Sequence, residues 1–385
     1  MTDRAPDLRR RFPGVRAGVA RFDGPAGTLM VDTAIEATRD HLASGDSANL
    51  GGPFVASVRT GELVDRARTT VATLLGADPA GVVFGANMTT LTFAFTRAIA
   101  RDLGPGDEIV CTTLDHDANV TPWVMAAKDR GATIVFAGVD AATGRLPTEA
   151  VTDKLSTRTR WVAVTGASNL LGTIPDVTAI TTAAHDAGAR VFVDAVHLTP
   201  HRRVDVSVIG CDVLATSPYK WYGPHAGILA IDPQLLATLT PYKVRPAGDD
   251  GPRRLETGTP SFEAIAGIDA AAQFLLDTGM DAIGAAESAI FTTLLDGLQA
   301  LPRVRIHGPA DGTDRTPTVL FSLDGISSTD VAGHLAQQSV AVWAGHSYAV
   351  EVAEAMHLDG VRAGVVAYVN EEDVFQLLTA LTALS

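Results

Sequence analysis

Little in this chain could cross-link it, carry it through a bilayer or bind a partner by charge alone. Only two of its 385 residues are cysteine, Cys111 and Cys211. They are too few for a disulfide framework and lack metal-ligand spacing, so no metal site is expected. Basic charge is short as well. Thirty Lys and Arg stand against 44 Asp and Glu, a formal net charge of −14, which argues against nucleic acid or an anionic membrane surface as partner. A small-molecule substrate stays open, because one site can be locally basic inside an acidic protein. No apolar run approaches the roughly 18 residues of a membrane-spanning helix. The opening MTDRAPDLRRRFPG has no signal-peptide core, so a cytoplasmic protein is expected. Several catalytic signatures are missing too: no G-x-x-x-x-G-K-S/T phosphate loop, no G-x-G-x-x-G opening a helix, no H-E-x-x-H and no G-x-S-x-G. There is no internal repeat and no low-complexity segment.

What is present is a globular chain, 46% hydrophobic and 19% charged, long enough to bury a large core in two domains. The informative stretch runs from Arg190 to Ile231 (numbers 190–231), RVFVDAVHLTPHRRVDVSVIGCDVLATSPYKWYGPHAGILAI. The apolar run Val191 to Val193 ends in Asp194, and a second, Val213 to Ala215, leads into Ser217, Pro218, Tyr219 and Lys220. Such short β-branched runs read as buried strands of a parallel sheet. Asp194 and Lys220 then lie near the carboxyl ends of strands, where open α/β sheets bind ligands. A carboxylate there needs something cationic, and a lysine needs to be neutral or bonded. Pyridoxal phosphate meets both needs, taking the lysine amine as a Schiff base and offering a pyridinium N–H to the carboxylate. Spacing alone fits an ordinary strand-end Asp and a surface Lys equally well.

Other segments repeat the pattern of strand, polar turn and helix. VVFGANMTTLTFAFTRAIA (82–100) predicts a strand, then a helix from near Thr89 whose N-terminus suits a phosphate; Thr89 and Thr90 serve equally as ordinary N-caps. EIVCTTLDHDANVTPW (108–123) predicts a strand ending in His116. RWVAVTGASNLLGT (160–173) predicts another ending in Ser168 and Asn169. Helices are predicted from Glu62 to Gly76, around Trp123 to Arg130, from about Thr148, and from Val177 to Ala187. FDGPAGTLM and SANLGGPF are glycine-rich loops, either simple turns or places where backbone approaches a ligand. From about Asp277 a long helix, the strand Thr318 to Leu323 and a helix near Asp330 to Gln338 predict a second α+β domain, closed by GVRAGVVAYVNEEDV (360–374).

VDAVHLTPH followed by ATSPYKWYGPHAGILA resembles the cofactor segment of the class V aminotransferases, especially their cysteine desulfurase-like branch. That segment reads Asp-x-x-Gln, then Ser-x-His-Lys with Gly-Pro soon after; here His197 stands at the Gln position and Tyr219 at the His position. The resemblance runs from about Phe22 to the C-terminus. It implies the fold type I architecture of pyridoxal-phosphate-dependent transferases: a large α/β domain with a mostly parallel seven-stranded sheet and a small α+β domain. Their expected bounds are 16–276 and 277–385, with 1–15 joining the small domain. The implied cofactor is pyridoxal 5'-phosphate, and the implied assembly is a homodimer with active sites at the interface. In this resemblance Lys220 carries the cofactor and acts as base, Asp194 holds the pyridine nitrogen, and His116 stacks on the ring. Met88, Thr89 and Ser217 bind phosphate, as does Thr259, in RLETGTPSF, from the partner. Asn169 meets the phenolic oxygen beside His197, and Tyr219 borders the lysine. Arg362 matches the arginine for the substrate carboxylate, a task that its planar fork suits. Gly27, Thr28, Asn49, Asn169, Trp343 and Tyr348 complete the expected substrate site.

The resemblance also shapes the expected reaction. The desulfurases' mobile cysteine would fall in WAGHSYAV, which has Tyr348 in its place and Trp343 where an arginine is expected. Cys111 and Cys211 sit in or at the start of apolar strands, where inert buried thiols are usual. The expectation is a C–S β-lyase acting on cysteine or an S-substituted cysteine, with Tyr348 as candidate proton donor to the departing sulfur. The alternatives are a cysteine desulfurase, another carbanion reaction (epimerisation, decarboxylation, deamination, an aldol- or Mannich-type step) and a non-catalytic cofactor-binding module.

Overall fold

A computed structural model describes residues 8–384. Its largest sheet has seven strands: β1 (Val82–Gly85), β2 (Glu108–Thr112), β3 (Thr133–Ala137), β4 (Thr159–Thr165), β5 (Arg190–Asp194), β6 (Val213–Thr216) and β7 (Gly227–Ile231), in the order β1-β7-β6-β5-β4-β2-β3. All neighbours are parallel except β7, which runs against both β1 and β6. The strands alternate between two apolar cores, one per face, as a two-residue period requires. Val110, Val162, Val164, Val191, Val193 and Leu214 enter one core, while Ile109, Cys111, Trp161, Ala163, Phe192 and Val213 enter the other. In the second, Phe95, Trp123, Trp161 and Phe192 pack with centroids 5.3–6.2 Å apart. Each such buried ring contributes about 1.5–3 kcal/mol by area and fixes how the flanking helices sit.

A second, four-stranded antiparallel sheet holds β8 (Val304–His307), β9 (Thr318–Leu323), β10 (Trp343–Ala344) and β11 (Val361–Gly364), in the order β10-β11-β9-β8. The N-terminal segment joins this part of the molecule. Ala20 and Arg21 pair with Val340 and Ala341, and Arg9 donates to Asp373 at 2.6 Å.

Two expected elements are placed differently. The helix predicted from Glu62 starts at Val55 and ends at Leu75, capped by Gly76 with φ 59°. Its first turns carry the exposed Val55 and Val58, so the amphipathic stripe begins only later. The long helix expected from about Asp277 is present as Met280–Gln299, following the helix Phe262–Thr278 across Gly279, whose φ is 83°. Strand β2 ends at Thr112, short of His116. The intervening turn is built by a buried carboxyl. Asp115 accepts from Thr112 Oγ1 and, at 2.7 Å, from Asn119 Nδ2, while Trp123 Nε1 donates to Asn119 Oδ1 at 3.1 Å. Burial, weighed against those bonds, pushes the Asp115 carboxyl well above its usual range.

Candidate active site

The carboxyl ends of β1, β2, β4, β5 and β6 open into one cavity, lined by Asn87, Met88, Thr89, His116, Ala118, Thr165, Ala167, Asn169, Asp194, Val196, His197, Ser217, Tyr219 and Lys220. Four of these strands stop in a polar residue, Thr112, Thr165, Asp194 and Thr216, at the edge where open α/β sheets bind ligands. Asp194 ends β5. It is buried, and among the described residues its carboxylate accepts from the Val196 amide alone, at 2.9 Å. Burial pushes it up to about 6, against the pull of that amide and of Lys220. Lys220 closes a short 3-10 turn, Pro218–Lys220, after β6. Its amine donates to the Pro25 carbonyl and lies 5.0 Å from the centre of the Tyr219 ring. Burial, then Arg362, pull that amine down to about 7, although Asp194 opposes them.

The lysine turn is strapped by the N-terminal loop. Thr28 donates both N–H and Oγ1 to the Tyr219 carbonyl, at 2.8 and 3.1 Å, and Thr28 Oγ1 accepts from Tyr222 N at 2.9 Å. Gly27 lies flat against Tyr219, where a Cβ would come within 3.2 Å of the ring. Both residues, expected at the substrate, therefore hold the lysine turn, and the Thr28 hydroxyl is committed to backbone. Tyr219 in turn stacks on His225, with centroids 5.0 Å apart and planes within 9°.

His116 caps the turn after β2, its Nδ1 accepting from Ala118 N at 3.0 Å. Burial, then Lys220, hold the ring down to about 4, and Arg362 adds to this, with Asp117 opposing. It is therefore neutral near pH 7, with its proton on Nε2. His197 reaches Thr318 Oγ1 at 3.0 Å through Nε2. Burial, then His201, hold it well below the ordinary histidine value. Asn169 spends its side-chain N–H on the Ser347 carbonyl at 2.8 Å and leaves Oδ1 buried without a partner. The amide's second N–H is the donor that the role implied by the resemblance, meeting a phenolate, would use. Arg362, on β11, is buried. Its Nη1 donates to the Asn169 carbonyl at 2.8 Å while Nε has no partner. Among the described residues no carboxylate pairs with it, and burial brings it down to about 10.

Across the cavity, the helix Met88–Ile99 starts from Asn87, whose Oδ1 accepts from Thr90 N at 2.8 Å. Position in the first turn leaves the Met88 and Thr89 amides without intrahelical acceptors. A Cβ at Gly227 would sit 2.2 Å from the Asn87 carbonyl carbon, so only glycine lets β7 support this turn so closely. The loop before the Val350–Ala355 helix forms the rim. Gly345, Ser347 and Tyr348 all have positive φ (89°, 49°, 61°), and the Tyr348 carbonyl accepts from Asp117 N at 2.8 Å. Backbone of this kind in non-glycine residues is costly and is found where a loop is held for function. The Tyr348 ring, mostly solvent-exposed, stacks on His116 at 5.5 Å. Trp343 lies directly across from Arg362 in the antiparallel pairing.

Two expected residues lie elsewhere in the single chain. Asn49 and Thr259 line a wider groove with Arg68, Glu256 and Phe262, not the cavity around Lys220. Sequence reasoning missed Asp115, His201, Tyr222, Glu287 and Thr318. Glu287 did leave a trace, since it occupies the buried stripe Ile283, Glu287, Phe291, Leu294 of its helix.

These observations fit pyridoxal phosphate. A buried carboxylate without a cationic hydrogen bond would hold the pyridinium N–H. Helix-start amides with Ser217 would hold the phosphate, and a depressed lysine amine would take the aldehyde. The amine's shift has a measurable consequence. The rate at which apo protein captures pyridoxal phosphate should rise with pH and level off above about pH 7, as Lys220 loses its proton. An inflection near the ordinary lysine value of about 10.4 would mean the amine is not held neutral.

Residues 21–377 match the family model "Aminotransferase class-V". An uncharacterized protein of Mycobacterium tuberculosis (strain CDC 1551) is 31% identical, covering 98% of each chain. A cysteine desulfurase of Dickeya dadantii is 30% identical over 97% of this chain and 95% of its own. Among solved structures, the apo cysteine desulfurase from Thermococcus onnurineus NA1 superposes with a TM-score of 0.94 at 27% identity, over 99% of this chain and 98% of that one. The open lysine, the buried aspartate and the free helix start thus have a common explanation: the chain belongs to the class V aminotransferase family, in its cysteine desulfurase-like branch, and is a pyridoxal-phosphate-dependent enzyme.

Proposed function

We propose that this enzyme is a C–S β-lyase that converts cysteine or an S-substituted cysteine, with water, into pyruvate, ammonia and the free thiol or sulfide. The observation that carries the reading is the absence of a usable thiol. Tyr348 occupies the rim beside His116, and both cysteines are buried in or beside the sheet. Burial, then Asp115, push the Cys111 thiol well up, and burial, then Asp212, push Cys211 up to about 12. Neither can be a mobile thiolate that attacks sulfur. The 30% identity to a protein named cysteine desulfurase supports a cysteine-like substrate.

Pyridoxal phosphate, when bound, supplies an acceptor for the electron pair left at Cα. In this reading the residues divide the remaining work. Arg362 binds the α-carboxylate and Asn169 borders it. Lys220, its amine pulled down to about 7 by burial, removes the α-proton. The electron pair forms the Cα–Cβ double bond as the Cβ–S bond breaks, sulfur leaves with its pair, and the Tyr348 hydroxyl protonates it. The released 2-aminoacrylate hydrolyses to pyruvate and ammonia, so no oxidant or reductant is needed. Asp194 and His116 hold the ring from edge and face. A homodimer is part of the proposal, with Thr259 and Asn49 on the groove that a second copy would cover.

The test is product analysis with L-cysteine and S-methylcysteine, using wild type and a Cys111→Ala/Cys211→Ala double variant. Pyruvate in near-stoichiometric amount with sulfide or methanethiol, undiminished in the double variant, is expected. Alanine together with protein-bound persulfide overturns the reading, and so does failure of every thiol substrate to give a keto acid.

A further inference from the structure

Behind the cofactor pocket, on the side away from solvent, lies a polar network that the reaction as drawn does not use. Its centre is Glu287, 2% exposed on the helix Met280–Gln299. One carboxylate oxygen meets His201 Nδ1 at 2.7 Å, and the other accepts from the Tyr222 hydroxyl at 3.1 Å. The helix can come this close because Gly284, one turn earlier, packs on the His201 carbonyl, where a Cβ would approach to 3.0 Å.

Each partner touches the site one step further on. His201 stands edge-on to His197, centroids 5.4 Å apart. Tyr222 follows Lys220 by two residues and is fully buried with φ 71°, a conformation that a bulky side chain does not hold without constraint. Its hydroxyl also accepts from Ala367 N at 3.1 Å, just beyond the strand carrying Arg362. A carboxylate this deeply buried needs hydrogen-bond partners, and Glu287 takes one from the lysine side and one from the histidine side of the pocket.

We propose that Glu287 is a positioning residue for the cofactor site, fixing the aim of Lys220 through Tyr222 and the ring of His197 through His201. Glu287 touches neither Lys220 nor His197. The titratable groups that surround those two are Asp194, His116, Tyr219, His201 and Arg362. The proposal rests on Lys220 as the cofactor lysine and is independent of what becomes of the substrate.

The test uses Glu287→Gln in the full-length protein, an isosteric change that removes one acceptor. Two readouts are followed besides turnover. One is the pH midpoint of the visible cofactor–lysine band. The other is the rate of cofactor capture by apo protein, measured by borohydride trapping and peptide mapping. The midpoint should move by about half a pH unit or more, and capture should slow by about tenfold, as expected for a misaimed nucleophile. A lower Tm with band and capture rate unchanged would make Glu287 a purely structural contact and overturn the proposal. Label on a lysine other than Lys220 would instead refute the lysine assignment. If Glu287→Gln does not fold, Tyr222→Phe cuts the lysine arm, together with the acceptor for Ala367 N, and leaves the His201 arm; an unchanged capture rate in it overturns the proposal equally.

Discussion

A Lys220→Ala variant is expected to purify folded, to lack the visible absorbance of a cofactor-bound lysine, and to lose turnover by at least about 10²–10⁴-fold, the usual worth of a positioned general base. Folding should survive because the amine's hydrogen bond to the Pro25 carbonyl contributes only about 1 kcal/mol net. Removing an amine that burial already disfavours as a cation offsets part of that. The chain offers three other lysines, Lys128, Lys154 and Lys243. The first two are exposed, and Lys243 is tied to the Gly248 carbonyl and Asp249, each at 2.6 Å. Borohydride reduction followed by peptide mapping should therefore mark Lys220 alone in wild type. Label on any of the others would overturn the assignment.

The sheet was legible where a buried strand is a short β-branched run that stops in a polar residue. Val191 to Asp194 and Val213 to Thr216 form strands within a residue of the pattern. The same rule located Asp194, Asn169, Ser217 and Lys220 around one cavity. It failed where tertiary context decides. Val55 and Val58 are apolar but exposed, so they hid the start of their helix. His116 owes its place to the buried Asp115–Asn119–Trp123 bonds, which join residues that read separately as polar turn and helix. Thr28 is expected at the substrate from the resemblance, and only the fold shows its hydroxyl bridging Tyr219 and Tyr222. Thr259 and Asn49 share a groove that a single chain does not close over Lys220. A glutamate on an apolar helical stripe is the kind of local conflict that marks a site; Glu287 was that signal, and period-counting alone passes over it.

Arg362→Ala should lower kcat/KM by roughly 2–5 kcal/mol, about 30- to 5,000-fold, the cost of leaving a buried charge pair without one partner. The reason is its position: a guanidinium 3% exposed on β11, anchored by one nitrogen to the Asn169 carbonyl. Nε is unpartnered, and no carboxylate pairs with the group among the described residues. A charge kept in that state needs an anion that arrives with the substrate. Burial brings the group down only to about 10, so it remains cationic throughout the working pH range. Arg362→Lys should not restore activity, because an ammonium cannot hold Asn169 and grip a carboxylate in the plane of a fork. Stability should change little, since the substitution also removes a desolvated cation that has no protein counter-ion. The discriminating measurement compares S-methylcysteine with its methyl ester. Wild type should strongly prefer the free acid, and Arg362→Ala should treat the two nearly alike. A variant that keeps both its rate and its preference for the acid would remove Arg362 from carboxylate recognition.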